Sequence, residues 1–518
     1  MLGRYRGRTQ LFHVLGRYRG CWDDTGDDTG DAPNFSTCWD RPNVLAFVVC
    51  SLDHMSRPLS LLLILLLSTT NLTLARANVA GTMFSGTTAA DPAAVYWNPA
   101  AMTQLQGTQL MIAGTISPLR LHYQRDTPSA NDGLPFAQAN VMVLAPKATL
   151  GLVTDATLRR WRFGLGLAFP MVDGASWETT YGGRPSSTRY YATQGRQVMW
   201  IISAAAAYRV TSWLSLGLGV DMVGMWLVSQ VMTDWGAKID QIACAALGGF
   251  ACRLDAPLAR EDPQYDGKTR VDGVGLGAGV SAGVLATPWP WLRLGIGVHS
   301  GGGDVKVPVS ISAEVPPAAV RYLSDNFPSI QLPIVAATGD VMVNTPVIVT
   351  AGVAVTAVPR LELTADLHWM NTSTTSIMLA SITRTSTALV GDQVLVSRKE
   401  DCFLAALRGS YRVLDPLLVG LRLEFDANAR PDQFVTPVSL DFHKLSLHLG
   451  VNWRATRWLT LEAEYAHFFI FSRTITRSQF QPNAFPTTPE EEGLDKPGPT
   501  GRYSAEADLF GVGATLSF

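Results

Sequence analysis

The chain has 518 residues, 47% of them hydrophobic, and its 41 basic and 43 acidic residues leave a net charge of -2. Nothing in that balance suggests nucleic acid, which would call for a basic face. After residue 67 no apolar run reaches the roughly 18 residues of a membrane-spanning helix. With a mean hydropathy of +0.13, the apolar residues come instead in stretches of about ten, alternating with polar or tiny ones, as in a barrel whose side chains face lipid and lumen in turn.

The first 77 residues do not read as barrel. Residues 1–54 contain Leu-Gly-Arg-Tyr-Arg-Gly twice, from Leu2 and Leu15, and Asp-Asp-Thr-Gly twice, from Asp23 and Asp27. Two readings are open: a repetitive binding arm, or a non-native upstream extension with translation starting at Met55. The second is expected, because residues 55–77 have the layout of a secretory signal peptide, which normally opens a chain. Arg57 is its positive charge, Leu59 to Leu67 its apolar core, and Ala75-Arg76-Ala77 its small-residue cleavage site. The exported protein is expected to begin at Asn78.

Residues 106–518 are expected to form an all-β, 14-stranded antiparallel transmembrane β-barrel. Tight turns such as Val358-Pro359-Arg360, Leu414-Asp415-Pro416 and Thr287-Pro288-Trp289-Pro290 alternate with longer polar segments, and short turns mark the periplasmic side. The strands are predicted near 109–125, 140–153, 161–170, 197–209, 213–228, 270–287, 291–300, 346–357, 361–370, 402–413, 417–427, 442–454, 458–470 and 504–518. In 444–454, Leu445, Leu447, Leu449, Val451 and Trp453 share one face, opposite Lys444, Ser446, His448, Gly450, Asn452 and Arg454. Charges cannot face hydrocarbon cheaply, so Glu362, Asp366, Arg408, Arg412, Arg422, Glu424, Lys444 and Glu462 are placed in the lumen.

Two long inter-strand segments carry apolar residues that loops, normally at the surface, do not need. The first holds Trp235, Ile239 and Ile242 at helix-like spacing; the second holds Tyr322, Leu323 and Phe327. They are either ordinary packing at the barrel rim or a groove that captures a hydrophobic ligand. Cys244 and Cys252 lie in the first segment, and in an oxidising exported compartment a disulfide between them is expected. Cys402 is expected to be buried at a strand start. No metal-spaced cluster, phosphate loop or cofactor motif is visible.

The segment after the signal peptide is small and polar, Ala80-Gly81-Thr82-Met83-Phe84-Ser85-Gly86, and leads through Asp91 to Tyr96-Trp97-Asn98-Pro99-Ala100. This resembles the N-terminal plug of the FadL-type family, outer-membrane channels for long-chain fatty acids and aromatic hydrocarbons. One more residue separates the acid from the aromatic pair here than in the family pattern. Gly501-Arg502-Tyr503-Ser504, Phe510-Gly511-Val512-Gly513 and the Leu459 to His467 stretch also match. The terminal Phe518 on an amphipathic strand is similar to the signal read by outer-membrane assembly machinery.

The resemblance covers roughly residues 78–518. It implies that residues 78–105 plug the lumen, with Phe84, Tyr96, Trp97, Asn98, Pro99 and Ala100 at the plug and gate. It implies capture in an extracellular apolar groove, a pocket above the plug, and lateral exit through a gap in the third strand. Gly164 and Gly166 are the candidates for that distortion. The expected activity is passive uptake of a hydrophobic small molecule by a monomer in a Gram-negative outer membrane, among outer-membrane lipids and lipopolysaccharide, with no cofactor. Two other classes compete: a general porin, and a lipase-type barrel in which His467 would need Ser446 or Ser504 beside it. His368 and His448 are read as lumen-facing members of an ion network that contacts the plug.

Overall fold

A sheet apolar on its outer face, with small and polar residues on the other, has one stable arrangement in a bilayer: it closes and leaves no unpaired edge. The computed structural model of the protein describes residues 80–237, 239, 260–301, 304–328, 336–383, 393–396, 398–437, 440–479 and 498–518. The cleavage site, Ile242, Cys244 and Cys252 lie outside these.

Among the described residues, fourteen long strands form one antiparallel ring. They are β1 Thr108–Arg125, β2 Ala139–Thr154, β3 Trp161–Ser176, β4 Gln194–Arg209, β5 Leu214–Asp234, β6 Asp266–Trp289, β7 Leu292–His299, β8 Ile348–Val355, β9 Leu361–Met370, β10 Cys402–Leu414, β11 Leu417–Asp426, β12 Lys444–Arg454, β13 Leu459–Ile470 and β14 Gly501–Ser517. The ring closes where β14 pairs with β1, from Gln109↔Ser517 to Arg125↔Gly501. Every strand falls where the alternation places it. Leu144, Leu165, Leu218, Leu449 and Val512 are exposed on the outer wall, which in a membrane is the lipid face. Trp161, Trp213, Trp289, Trp291 and Trp458, also exposed, ring the end with the short turns, as an interfacial aromatic girdle does.

The 301–345 segment is more ordered than a capture loop. It contains the strands Asp304–Ala313 and Ala336–Asn344 and a helix, α1, Pro317–Asn326. With Ile377–Thr383 and Gln393–Val396 these strands build, in order, onto the upper part of β6, continuing the wall beyond β7 to β10. The reason lies in the sequence: Val305, Val307, Val309 and Ile311 are buried, while Lys306, Pro308, Ser310 and Ser312 are exposed. That period of two is a strand signal within what reads as apolar loop content. Cys402 is buried at the first position of β10, and Thr372 Oγ1 donates to its sulfur at 3.6 Å.

Candidate functional site

Residues 80–105 lie in the lumen. A short helix, Ala94–Trp97, leads into a 3-10 turn, Pro99–Gln104. Proline suits the first turn because its missing N–H has no intrahelical partner there. Asn98 supplies the cap: its Oδ1 accepts from Ala100 N–H at 3.1 Å. Its Nδ2 donates to Thr87 O and to Val284 O in the wall, each at 3.0 Å. One side chain therefore ties two parts of the plug to β6. Asn98→Ala leaves the buried Thr87 carbonyl and Ala100 N–H without that partner, at about 1–3 kcal/mol each, and frees the part-buried Val284 carbonyl. The expected result is a folded barrel whose plug is cut by protease at least tenfold faster, read by limited proteolysis of reconstituted protein.

A backbone held inside a barrel needs partners for its peptide groups. The wall charges provide them. Glu464 accepts from Met83 N–H at 2.7 Å and Asp366 from Thr87 N–H at 3.2 Å. Arg408 donates to Met83 O at 3.2 Å and to Phe84 O, and Glu462 accepts the Thr82 hydroxyl. Arg408 is paired with Glu362 at 3.1 Å, and Arg422 with Glu424 at 2.6 Å. Two of the charges assigned to the lumen by alternation have other partners than the plug. Arg412, near the end of β10, is exposed and donates to Asp415 O in the turn that follows. Lys444 pairs with Asp426 at 2.7 Å, at the opposite end of β12 from the short turns.

Wall glycines give the plug its room. A Cβ on Gly217 would lie 2.5 Å from the Pro99 carbonyl carbon, and one on Gly450 would lie 2.9 Å from Met83 Cγ. Phe84 packs over Gly420.

The wall itself is interrupted. β2 and β3 pair from Thr154↔Phe163 to Thr149↔Ala168, and there the ladder stops. Beyond it, β2 stays paired to β1 and β3 to β4. The β3–β4 register shifts between Ala168 and Met171, so one residue is inserted at Phe169-Pro170. Proline has no N–H for the ladder, and a one-residue insertion turns the following side chains to the other face. Arg162, Gly164 and Ala168 accordingly face inward, and after the bulge Ala175 does. The distortion is thus not at Gly164 or Gly166. Both pair regularly, with Val153 and Gly151, and their inner faces meet Val95 of the plug.

Tyr96 stands beside Ala168, the last residue of β3 paired to β2, in one cluster with it. The void between Tyr96 and the wall, lined also by Val95, Thr149, Ala168 and Ser203, is about 10 Å³. That holds at most one water, so the plug closes the inner end of the interruption. Tyr96 stacks on His299 with centroids 4.9 Å apart, and Trp97 lies 5.0 Å from His368. Burial, with Asp221 nearby, holds the Tyr96 phenol well above its ordinary pKa, so it is neutral.

Above the plug the upper lumen is lined by an apolar cluster that includes Leu119, Leu121, Trp177, Phe442, Phe468 and Tyr503. Tyr123 and Tyr503 stack at 4.3 Å, and their hydroxyls donate to Thr500 O and Pro499 O, tying that segment to the cluster. This lining was not singled out from the sequence. Its signal is a reversal of alternation: on β1, Leu119, Leu121 and Tyr123 point inward while Arg120, His122 and Gln124 point outward.

Trp235, Ile239, Tyr322, Leu323 and Phe327 converge on one cluster with Ala319 of α1, although 83 residues separate Ile239 from Tyr322 in sequence. Trp235, Ile239 and Leu323 are buried in it, and Trp235 Nε1 donates to Glu314 O at 3.0 Å. His467 lies outside the barrel, 2.9 Å from Asp508. Ser446 bonds His448 instead, at 3.0 Å, and Ser504 pairs in register with His122.

Among solved structures the chain is similar to a Pseudomonas aeruginosa FadL homologue (TM-score 0.67, 18% identity, covering 88% of this chain and 99% of that one). It is also similar to the P. putida toluene transporter TodX (0.57, 16%, 82% and 94%). A third is the Ralstonia pickettii toluene transporter TbuX (0.55, 16%, 85% and 99%). No curated protein matches the chain. At these identities the structures speak for the fold, a closed fourteen-stranded barrel. The family model described as outer membrane protein transport protein (OMPP1/FadL/TodX) matches residues 68–518. The chain therefore belongs to this family of outer-membrane transporters of hydrophobic compounds.

Proposed function

We propose that the protein takes up long-chain fatty acids or aromatic hydrocarbons by passive diffusion. The ligand enters at the rim cluster of Trp235, Ile239, Tyr322, Leu323 and Phe327, moves into the apolar upper lumen, and leaves sideways between β2 and β3. The observation that carries this reading is the end of the β2–β3 ladder at Ala168, beside which Tyr96 of the plug stands. An apolar solute gains by passing from an apolar lumen into hydrocarbon without crossing water. The plug needs to shift only near Tyr96, since its other end is held by Arg408, Glu464 and Asp366. A general porin would need an open lumen, and this one is occupied along residues 80–105.

Deleting Pro170 tests the exit. It removes the inserted residue and the missing donor together, so β3 can continue its ladder with β2. Uptake of a labelled fatty acid or aromatic hydrocarbon should fall at least tenfold, while single-channel conductance stays low. Unchanged uptake would remove the lateral route from the mechanism.

A further inference from the structure

The short-turn end of the barrel carries six exposed arginines. Arg159 and Arg160 lie between β2 and β3, Arg360 between β8 and β9, Arg412 near the end of β10, and Arg454 and Arg457 around the turn from β12 to β13. These turns form one arc of the rim, because β14 and β1 close the wall between β13 and β2. The turns from β4 to β5 and from β6 to β7 carry tryptophan and no charge. Exposed aromatic residues neighbour the arginines in the chain: Trp161 follows Arg160, Tyr411 precedes Arg412, Trp453 precedes Arg454 and Trp458 follows Arg457. Interfacial aromatics sit at the headgroup level of a bilayer, so the guanidiniums are at that level too.

Among the described residues, none of the six pairs with a carboxylate. Exposed charges towards the other end do pair: Arg120 with Glu506 at 3.8 Å, Arg270 with Asp272 at 3.5 Å and Lys306 with Asp340 at 2.8 Å. Inward-facing arginines near the short turns are occupied as well. Arg162 donates to Leu105 O at 2.6 Å, Arg209 to Thr103 O, and Arg293 pairs with Glu362. Of the two carboxylates in the arc, Asp155 accepts from Gly107 and Thr157 N–H at 3.0 and 2.9 Å, and Asp415 is exposed. Like charges stand side by side, since Arg412 N–H donates to Arg360 O at 2.8 Å and Arg454 and Arg457 flank one turn. Such neighbours repel, and an anion shared between them would relieve the repulsion.

We propose that this arc binds the phosphodiester groups of anionic phospholipids, of the phosphatidylglycerol kind, in the periplasmic leaflet. Short turns mark that side of the membrane. Two phosphate oxygens match the fork of a guanidinium, and one phosphate serves two adjacent arginines. A zwitterionic lipid brings its own ammonium to the same place, so a lipid of net negative charge is favoured. The acyl chains lie against the outer wall. Above Arg360 and Arg412 that wall is recessed, with Ala351, Ala365 and Ala405 in a groove of about 730 Å³. This surface is separate from the route of the transported ligand.

The test uses the protein reconstituted in phosphatidylethanolamine–phosphatidylcholine vesicles with trace spin-labelled lipids, and electron spin resonance reads the lipid held at the barrel. Phosphatidylglycerol is expected to be favoured over phosphatidylethanolamine by about fivefold, the worth of one guanidinium near an anionic surface. Salt of about 1 M should remove the preference by screening. Replacing all six arginines by Gln should bring the ratio to about one. Arg454→Gln with Arg457→Gln should lower it part of the way, and serves if the sixfold variant assembles poorly. Arg120→Gln with Arg270→Gln and Lys306→Gln removes charge at the other end and should leave the ratio unchanged. Equal association of the two lipids with the intact protein would overturn the proposal and point to an acidic soluble partner. So would a preference that survives the rim variants or is lost in the control.

Discussion

Removal of residues 80–105 should convert a channel of low conductance into a steadily open pore and abolish selective uptake. A barrel of about eight strands is filled by its own side chains, but wider ones leave a lumen unless something occupies it. Here the wall offers glycine rather than bulk at Gly217, Gly283, Gly297 and Gly450, each in contact distance of the plug. Nothing on the wall replaces the plug once it is gone. The remaining lining at that level, Arg408, Arg422, Glu424, Glu462, Glu464 and Asp366, is charged and would hold water. Planar-bilayer recording should show a rise of at least tenfold in unitary conductance. The ring should still assemble, because its ladders do not use plug atoms. Conductance equal to that of the intact protein would show that the plug does not occlude the lumen.

Gly217→Leu should reproduce much of that effect with a single side chain. Gly217 pairs in the middle of the lower walls, with Ala207 on β4 and Gly283 on β6, so a larger residue leaves both ladders intact. Its Cβ, however, would stand 2.5 Å from the Pro99 carbonyl carbon, a backbone atom that cannot rotate away. Either Pro99 and Ala100 withdraw or the wall bends. Overpacking of this kind costs about 1–3 kcal/mol, and moving the 3-10 turn also breaks the Asn98 bonds to Thr87 and Val284. The expected outcome is a barrel of normal heat-modifiable mobility, a protease-sensitive plug and conductance between those of the intact and plug-deleted proteins. A quiet channel with an uncut plug would show that the wall yields instead.

The ring itself is legible in the sequence because lipid imposes a strict alternation, as in Leu445, Leu447, Leu449, Val451 and Trp453, and because turns such as Leu414-Asp415-Pro416 punctuate it. The plug is legible only through its small residues and the Asn98-Pro99-Ala100 turn. Two features escaped for different reasons. The strands beyond the membrane, such as Asp304–Ala313, alternate as strands do, but their apolar side faces inward rather than outward, so they read as apolar loop. The same inversion hides the apolar lumen at Leu119 and Leu121. The break at Phe169-Pro170 carries a proline, yet attention falls on Gly164 and Gly166, whose missing side chains serve the plug instead. The contacts of His299 with Tyr96 of the plug and with Asp221 join side chains between 96 and 299, a convergence that no local pattern encodes.

The seam of the ring sits at the plug's point of entry. Thr108, three residues after Leu105, exchanges hydrogen bonds with Phe518: Thr108 N–H donates at 3.2 Å and Phe518 N–H at 2.8 Å. The first strand thus meets the fourteenth directly beside the segment that leads inside. Once that seam is zipped, the plug could enter only by threading the closed ring end-on, past Arg408, Arg422 and their carboxylate partners. Wrapping the sheet around a plug already resting on its concave face avoids that passage. The wall side chains that hydrogen-bond the plug in the finished protein run from Thr149 of β2 to Glu464 of β13, so these bonds accumulate as the sheet curls, strand by strand. A sheet that closed over an empty interior would stand as an open pore until the plug entered from its end.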